Sequence, residues 1–122
     1  MPGKRYTREE ANALLPYLAP TLVELRDKSE EASRIHDTVT AAAATNGGST
    51  RREKWSRLLA RVAELAERLE EWEVELRDLG QGLVDFPAIV DGGEAFLCWR
   101  LGESSVAYWH PRDTGIAGRR PL

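Results

Sequence analysis

The residues able to do chemistry gather in the last third of the chain: Asp85, Glu94, Cys98, Glu103, His110 and Asp113. Imidazole, carboxylate and thiolate ligands together suit zinc or iron. A metal site could therefore be built from His110 with Glu103, Asp85 or Cys98. A broader ligand site would use Asp85, Glu103, His110 and Arg119. The spacing matches no known ligand motif, and the chain holds only two histidines. The plainer reading makes Cys98 a small buried hydrophobe and His110 a strand-end residue bonded to backbone. A Cys98–His110 nucleophile pair would need hydrogen-bond reach and an oxyanion pocket.

Other groups carry weaker signals. Trp99, Tyr108 and Trp109 could stack a base, a sugar or a flat cofactor, although aromatics in a small sheet more often form core or subunit interface. His36 falls on a helical seam, where a buried imidazole could sense pH or bind a ligand; the alternative is a seam-edge histidine bonded to a neighbour. Arg51, Arg52 and Lys54, followed by Arg57 and Arg61, make one helix end basic. Arginines in a first turn oppose the helix dipole, so Arg51, Arg52 and Lys54 are candidate anion contacts; a solvated surface is the plainer reading. The tail Gly115–Leu122 reads either as a segment docked in a defined path or as a flexible end. If docked, Arg119 could pair with Asp85 or Glu103, or hold an anion by its fork.

The elements that must position these residues begin with a capping box, Thr7 to Glu10, which opens a helix. Pro16 and Pro20 predict a short helix to about Leu15, a kink, then a long helix to about Ala43. Residues 45–49, Thr-Asn-Gly-Gly-Ser, predict a turn, and Thr50 to Glu53 a second capping box. Trp55, Leu58, Val62, Leu65, Leu69, Trp72, Leu76 and Leu79 then recur at alternating spacings of three and four, a heptad seam. Leu15, Leu18, Leu22, Leu25, Ser29, Ala32, His36 and Val39 form a matching series, so folding about Gly47 sets Val39 against Trp55 and Leu25 against Leu69. Glu24–Lys28, Glu64–Arg68 and Glu73–Arg77 are the expected surface ion pairs.

Past Leu79 the period changes from 3.6 to 2. Leu83–Val90, Glu94–Leu101 and Ser105–His110 read as three strands, joined at Asp91-Gly92-Gly93 and Gly102-Glu103. Pro87 places the first strand at an edge. In the simplest meander Phe86, Phe96, Cys98 and Trp109 share one face, and Leu97, Trp99, Val106 and Tyr108 the other. That alternation puts Cys98 and His110 on opposite faces. It also makes both faces apolar, and a helical pair covers only one, which predicts a homodimer.

The stretches YTREEANALLPYLAP, GLVDFPAI, LCWRLGE, VAYWH and GIAGRRP resemble an uncharacterised bacterial family, domain of unknown function 2203, along the whole chain. The resemblance implies a small cytosolic protein and supplies no activity or site residue.

Composition sets the outer limits. A chain of 122 residues with 42 % hydrophobic content fits one domain, and its net charge of −3 gives nucleic acid no general attraction. The lone Cys98 suits a reducing cytoplasm, and neither a signal peptide nor a membrane span is evident. The sequence therefore predicts an α+β fold in a single domain, 1–122. A long antiparallel, coiled-coil-like two-helix hairpin (7–79), with its Pro-broken first helix, carries a small three-stranded antiparallel sheet and tail (82–122). The first functional reading is a non-enzymatic, homo-oligomeric binding or scaffolding module with a protein partner. A metal- or small-ligand-binding protein, with or without an activity, is the alternative, and anion or nucleic-acid contact at the basic tip a second; no cofactor is specified.

Overall fold

The computed structural model describes residues 3–42 and 49–122, with the backbone alone for 38–42 and 49. Two helices, α1 (Arg8–Ala42) and α2 (Ser49–Glu71), precede five strands: β1 (Glu75–Asp78), β2 (Leu83–Val90), β3 (Gly93–Arg100), β4 (Tyr108–Pro111) and β5 (Arg120–Pro121). The strands form one antiparallel sheet in sequence order. The α+β class holds, with five strands in place of three.

The first capping box forms as the sequence predicts. Glu10 N donates to Thr7 Oγ1 at 3.1 Å, and Thr7 N donates back to Glu10 Oε1 at 3.0 Å. The expected break at Pro16 and Pro20 does not occur: both lie inside one continuous 35-residue helix. A helical proline frees the carbonyl one turn earlier on its own side. Both prolines are exposed, so water can satisfy those carbonyls. The opposite side, with Ala11, Leu15, Leu18, Leu22 and Leu25, is buried in the core.

The two helices pack antiparallel, since positions 36, 31 and 24 of α1 meet 55, 54 and 61 of α2. The His36 and Trp55 rings are 5.3 Å apart. Lys54 pairs with Glu31 at 3.0 Å, and Arg61 holds both Glu24 oxygens at 2.7 and 2.9 Å. His36 is an exposed seam-edge residue, not a buried switch. The side chain of Val39, the expected partner of Trp55, lies outside the described residues, as does the turn at 45–48. Ser49 already belongs to α2, which opens earlier than the Thr50 box predicts.

The second helix stops two turns short of the expected Leu79. Glu73 adopts a left-handed backbone (φ 56°). Val74 N bonds Leu69 O at 3.0 Å, and Glu73 N bonds Glu70 O at 2.9 Å. This is a Schellman cap with Glu in the position glycine usually holds, and Leu69 and Val74 share the core as its apolar contact. Leu76 and Arg77 consequently belong to β1, and the predicted Glu73–Arg77 helical pair is absent.

The sheet register differs from expectation by one residue at each hairpin. Val90 pairs with Gly93, so the β2–β3 turn has two central residues, Asp91 (φ 52°) and Gly92 (φ 79°), the signature of a type I′ turn. A one-residue slip exchanges the faces. Val84, Phe86, Ala88, Leu97, Trp99 and Trp109 meet α1 and α2 across the core, while Asp85 pairs with Cys98 and Phe96 with His110 on the outer face. The outer face is therefore mixed, with Asp85 and His110 beside Phe96 and Cys98. Pro87 is no longer on an outermost strand, but β1 pairs only as far as Asp85, leaving a local edge there; Tyr6 N bonds Pro87 O at 2.7 Å. The tail is docked on its own chain, with Tyr108 and Trp109 paired to Pro121 and Arg120.

Candidate metal centre

Asp85, Cys98 and His110 come from the middles of three adjacent strands, one residue each. All three are buried, and one ligand atom of each lies within 4.8 Å of the other two. Cys98 and His110 thus share a face, against the sequence expectation. Strand pairing explains the convergence: Asp85 sits opposite Cys98, and His110 opposite Phe96, two residues along the same strand face.

His110 is fixed at both ring nitrogens. Nε2 lies 3.0 Å from each oxygen of Asp85, and Nδ1 lies 2.8 Å from the Pro111 carbonyl. A neutral imidazole carries one N–H, so it can satisfy only one of these acceptors. The ring meets both if a second cation occupies the Nε2 side, either a proton or a metal ion. With Nδ1–H given to the Pro111 carbonyl, Nε2 is the nitrogen presented to Asp85 and Cys98, the orientation that metal-bound histidines use.

Charge around the centre is balanced by two arginines. Arg77 Nε donates to Asp85 Oδ2 at 2.8 Å and stacks over Phe96, 5.0 Å from its ring centre. The hydrogen bond that Arg77 donates to Asp85 is the main cause of its raised pKa. Burial, then the Asp85 charge, pushes the Cys98 thiol up, while Arg119 pulls it down. A thiol held up in this way is a poor nucleophile, which counts against the Cys98–His110 pair as a nucleophilic couple.

The centre opens on a cleft of about 500 Å³ lined by Asp85, His110, Arg77, Gln81, Asp113 and Ile116, among others. Glu103 is not in the cluster. It accepts from Arg100 N at 2.8 Å and pairs with Arg119 at 2.5 Å, so the Arg119–Glu103 pair forms and the Arg119–Asp85 pair does not. Glu94 instead joins Arg5 and Arg112. Trp99, at 2 % exposure, points into the core, with Nε1 bonded to Glu103 O at 3.1 Å. Trp109 packs on the same side and Tyr108 on the other, so no aromatic platform assembles. Arg51 and Arg52 stand exposed on α2, and Lys54 is tied to Glu31.

The chain belongs to the DUF2203 family of uncharacterized conserved proteins. The family match spans residues 4–122 and so contains both helices, the sheet and all three candidate ligands. Neither the curated proteins nor the solved structures contain a match. No helix among the described residues is long and apolar enough to cross a membrane.

Arg77 is the site residue that sequence reasoning missed, because the heptad pattern placed it on a helix. The available signal was Asp85 itself, a carboxylate inside the apolar run LVDFPAIV, where a charge must find a partner.

Proposed function

We propose that this protein binds one transition-metal ion per chain through Asp85, Cys98 and His110. The observation that carries the reading is the double acceptor environment of His110, with the Cys98 thiol and the Asp85 carboxylate gathered with a ring nitrogen within 4.8 Å of one another. In a tetrahedral zinc site, bonds of about 2.0–2.3 Å place ligand atoms roughly 3.3–3.8 Å apart. The three ligand atoms, within 4.8 Å of one another, must draw closer to reach that spacing. Aspartate and thiolate would neutralise a divalent ion, which removes the main cost of burying it.

Three protein ligands leave one coordination position, and the cleft supplies a path to it. That is the arrangement of metal sites that accept water or an outside ligand. An unpaired cysteine ligand suits a reducing compartment, so a cytoplasmic location fits the same reading. The α1–α2 pair, read as a coiled-coil-like brace, holds the inner face of the sheet so that the ligands on the outer face keep their spacing.

The test is Co(II) and Zn(II) loading of the metal-stripped protein. We expect one ion per chain, with a sulfur-to-cobalt charge-transfer band that disappears in Cys98→Ser. His110→Ala should lose the ion while its circular dichroism remains native. Unchanged stoichiometry in both variants, or none in the wild type, would overturn the proposal.

A further inference from the structure

Arg119 sits where the C-terminal strand meets the centre. Its guanidinium lies 4.0 Å from the Tyr108 ring centre and pairs with Glu103. Burial works against its charge, but Glu103 and Cys98 more than offset that, so its pKa is raised. Tyr108 is the cross-strand partner of Cys98, so the guanidinium over its ring lies on the Cys98 side of the sheet. Yet the Arg119 Nε–H is buried and has no hydrogen-bond partner among the described residues.

A buried unmet donor destabilises the fold. Most such groups in folded proteins have a partner or a function. A neutral thiol is a weak acceptor, whereas a metal-bound thiolate is a strong one. The orphan donor is thus matched to the metal-loaded state of Cys98.

Resting on the metal reading above, we infer that Arg119 is a positioning residue for the Cys98 ligand, donating its Nε–H to the bound sulfur. Through it, metal binding is coupled to docking of the tail. The chain linking the two is short. Arg119 N bonds Ile116 O at 3.0 Å, Ile116 lines the cleft, and the next residues, Arg120 and Pro121, form β5.

The experiment compares Co(II) affinity and the charge-transfer band in wild type, Arg119→Lys and Arg119→Gln, with Glu103→Gln as control. Lysine keeps a cation for Glu103 and Tyr108 but has no Nε–H. Both Arg119 variants should bind Co(II) roughly 10- to 100-fold more weakly, the usual effect of removing an outer partner of a ligand. Their band should move to lower energy, because an unbonded thiolate gives up its electrons more easily. Glu103→Gln weakens the tail ion pair but keeps the donor, so its band should stay at the wild-type energy. Wild-type band and affinity in Arg119→Lys would overturn the inference while leaving the metal site standing. An equal band shift in Glu103→Gln would also overturn it, since tail loosening would then suffice. Absence of a sulfur band in the wild type would remove both proposals together.

Discussion

Replacing Asp85 by alanine separates the buried part of the outer-face network from its exposed part. Asp85 has two side-chain partners of different worth. Arg77 keeps 43 % of its side-chain surface exposed, so water screens that contact and it contributes at most about 1 kcal/mol. His110 is different, with side-chain exposures of 2 % and 3 % across the pair. Removing Asp85 leaves the buried His110 Nε2 without its partner, which costs about 1–3 kcal/mol. We therefore expect Asp85→Ala to lose about 3 kcal/mol in the metal-free protein, and Arg77→Ala no more than about 1 kcal/mol. For a chain of this size the first loss corresponds to roughly 9–15 °C in Tm. The assay is urea unfolding in the presence of a chelator, followed by circular dichroism. A double-mutant cycle with His110→Leu isolates the pair: Asp85→Ala should cost about 2 kcal/mol less in that background. Additive costs, or a single-variant loss below about 1 kcal/mol, would refute the claim that His110 and Asp85 hold this face together.

Two further outcomes follow from the helices. Glu73→Gly relieves a left-handed residue whose backbone costs an L-amino acid about 1–2 kcal/mol. Against this stand only the exposed bonds from Lys4 N and the extra chain entropy of glycine, so chemical denaturation should show a gain of up to about 1 kcal/mol; a clear loss would mean the Lys4 tie dominates. The Arg61 hydrogen bond holds the Glu24 carboxyl below its usual range. A depressed folded-state pKa gives stability that is present above the unfolded value of about 4.3 and lost as pH falls through the folded one. Glu24→Gln should flatten the acid limb of the stability–pH curve, and an unchanged limb would show that the pair does not contribute.

How much could be read from sequence depended on whether the deciding signal was local or cooperative. The Thr7–Glu10 box was legible because two side chains three residues apart close it by themselves. The end of α2 was not, since its cap puts Glu73 where the rule expects glycine, and the apolar series ran on through Leu76 into a strand whose period it happened to fit. Pro16 and Pro20 misled for a related reason: their penalty depends on which side of the helix they occupy, and only packing sets that. For the candidate centre the residue types were legible and their juxtaposition was not. Asp91-Gly92-Gly93 supports a loop of two or three residues, and the choice decides whether Cys98 faces the core or the outer side. The apolar pattern could not arbitrate, because both strand faces carry large hydrophobics. What arbitrates is Asp85: in the three-residue register it would turn away from Cys98, leaving a carboxylate within an apolar strand without the imidazole and guanidinium that now meet it. The need to satisfy that one charge favours the observed register, and the same register assembles the three ligands.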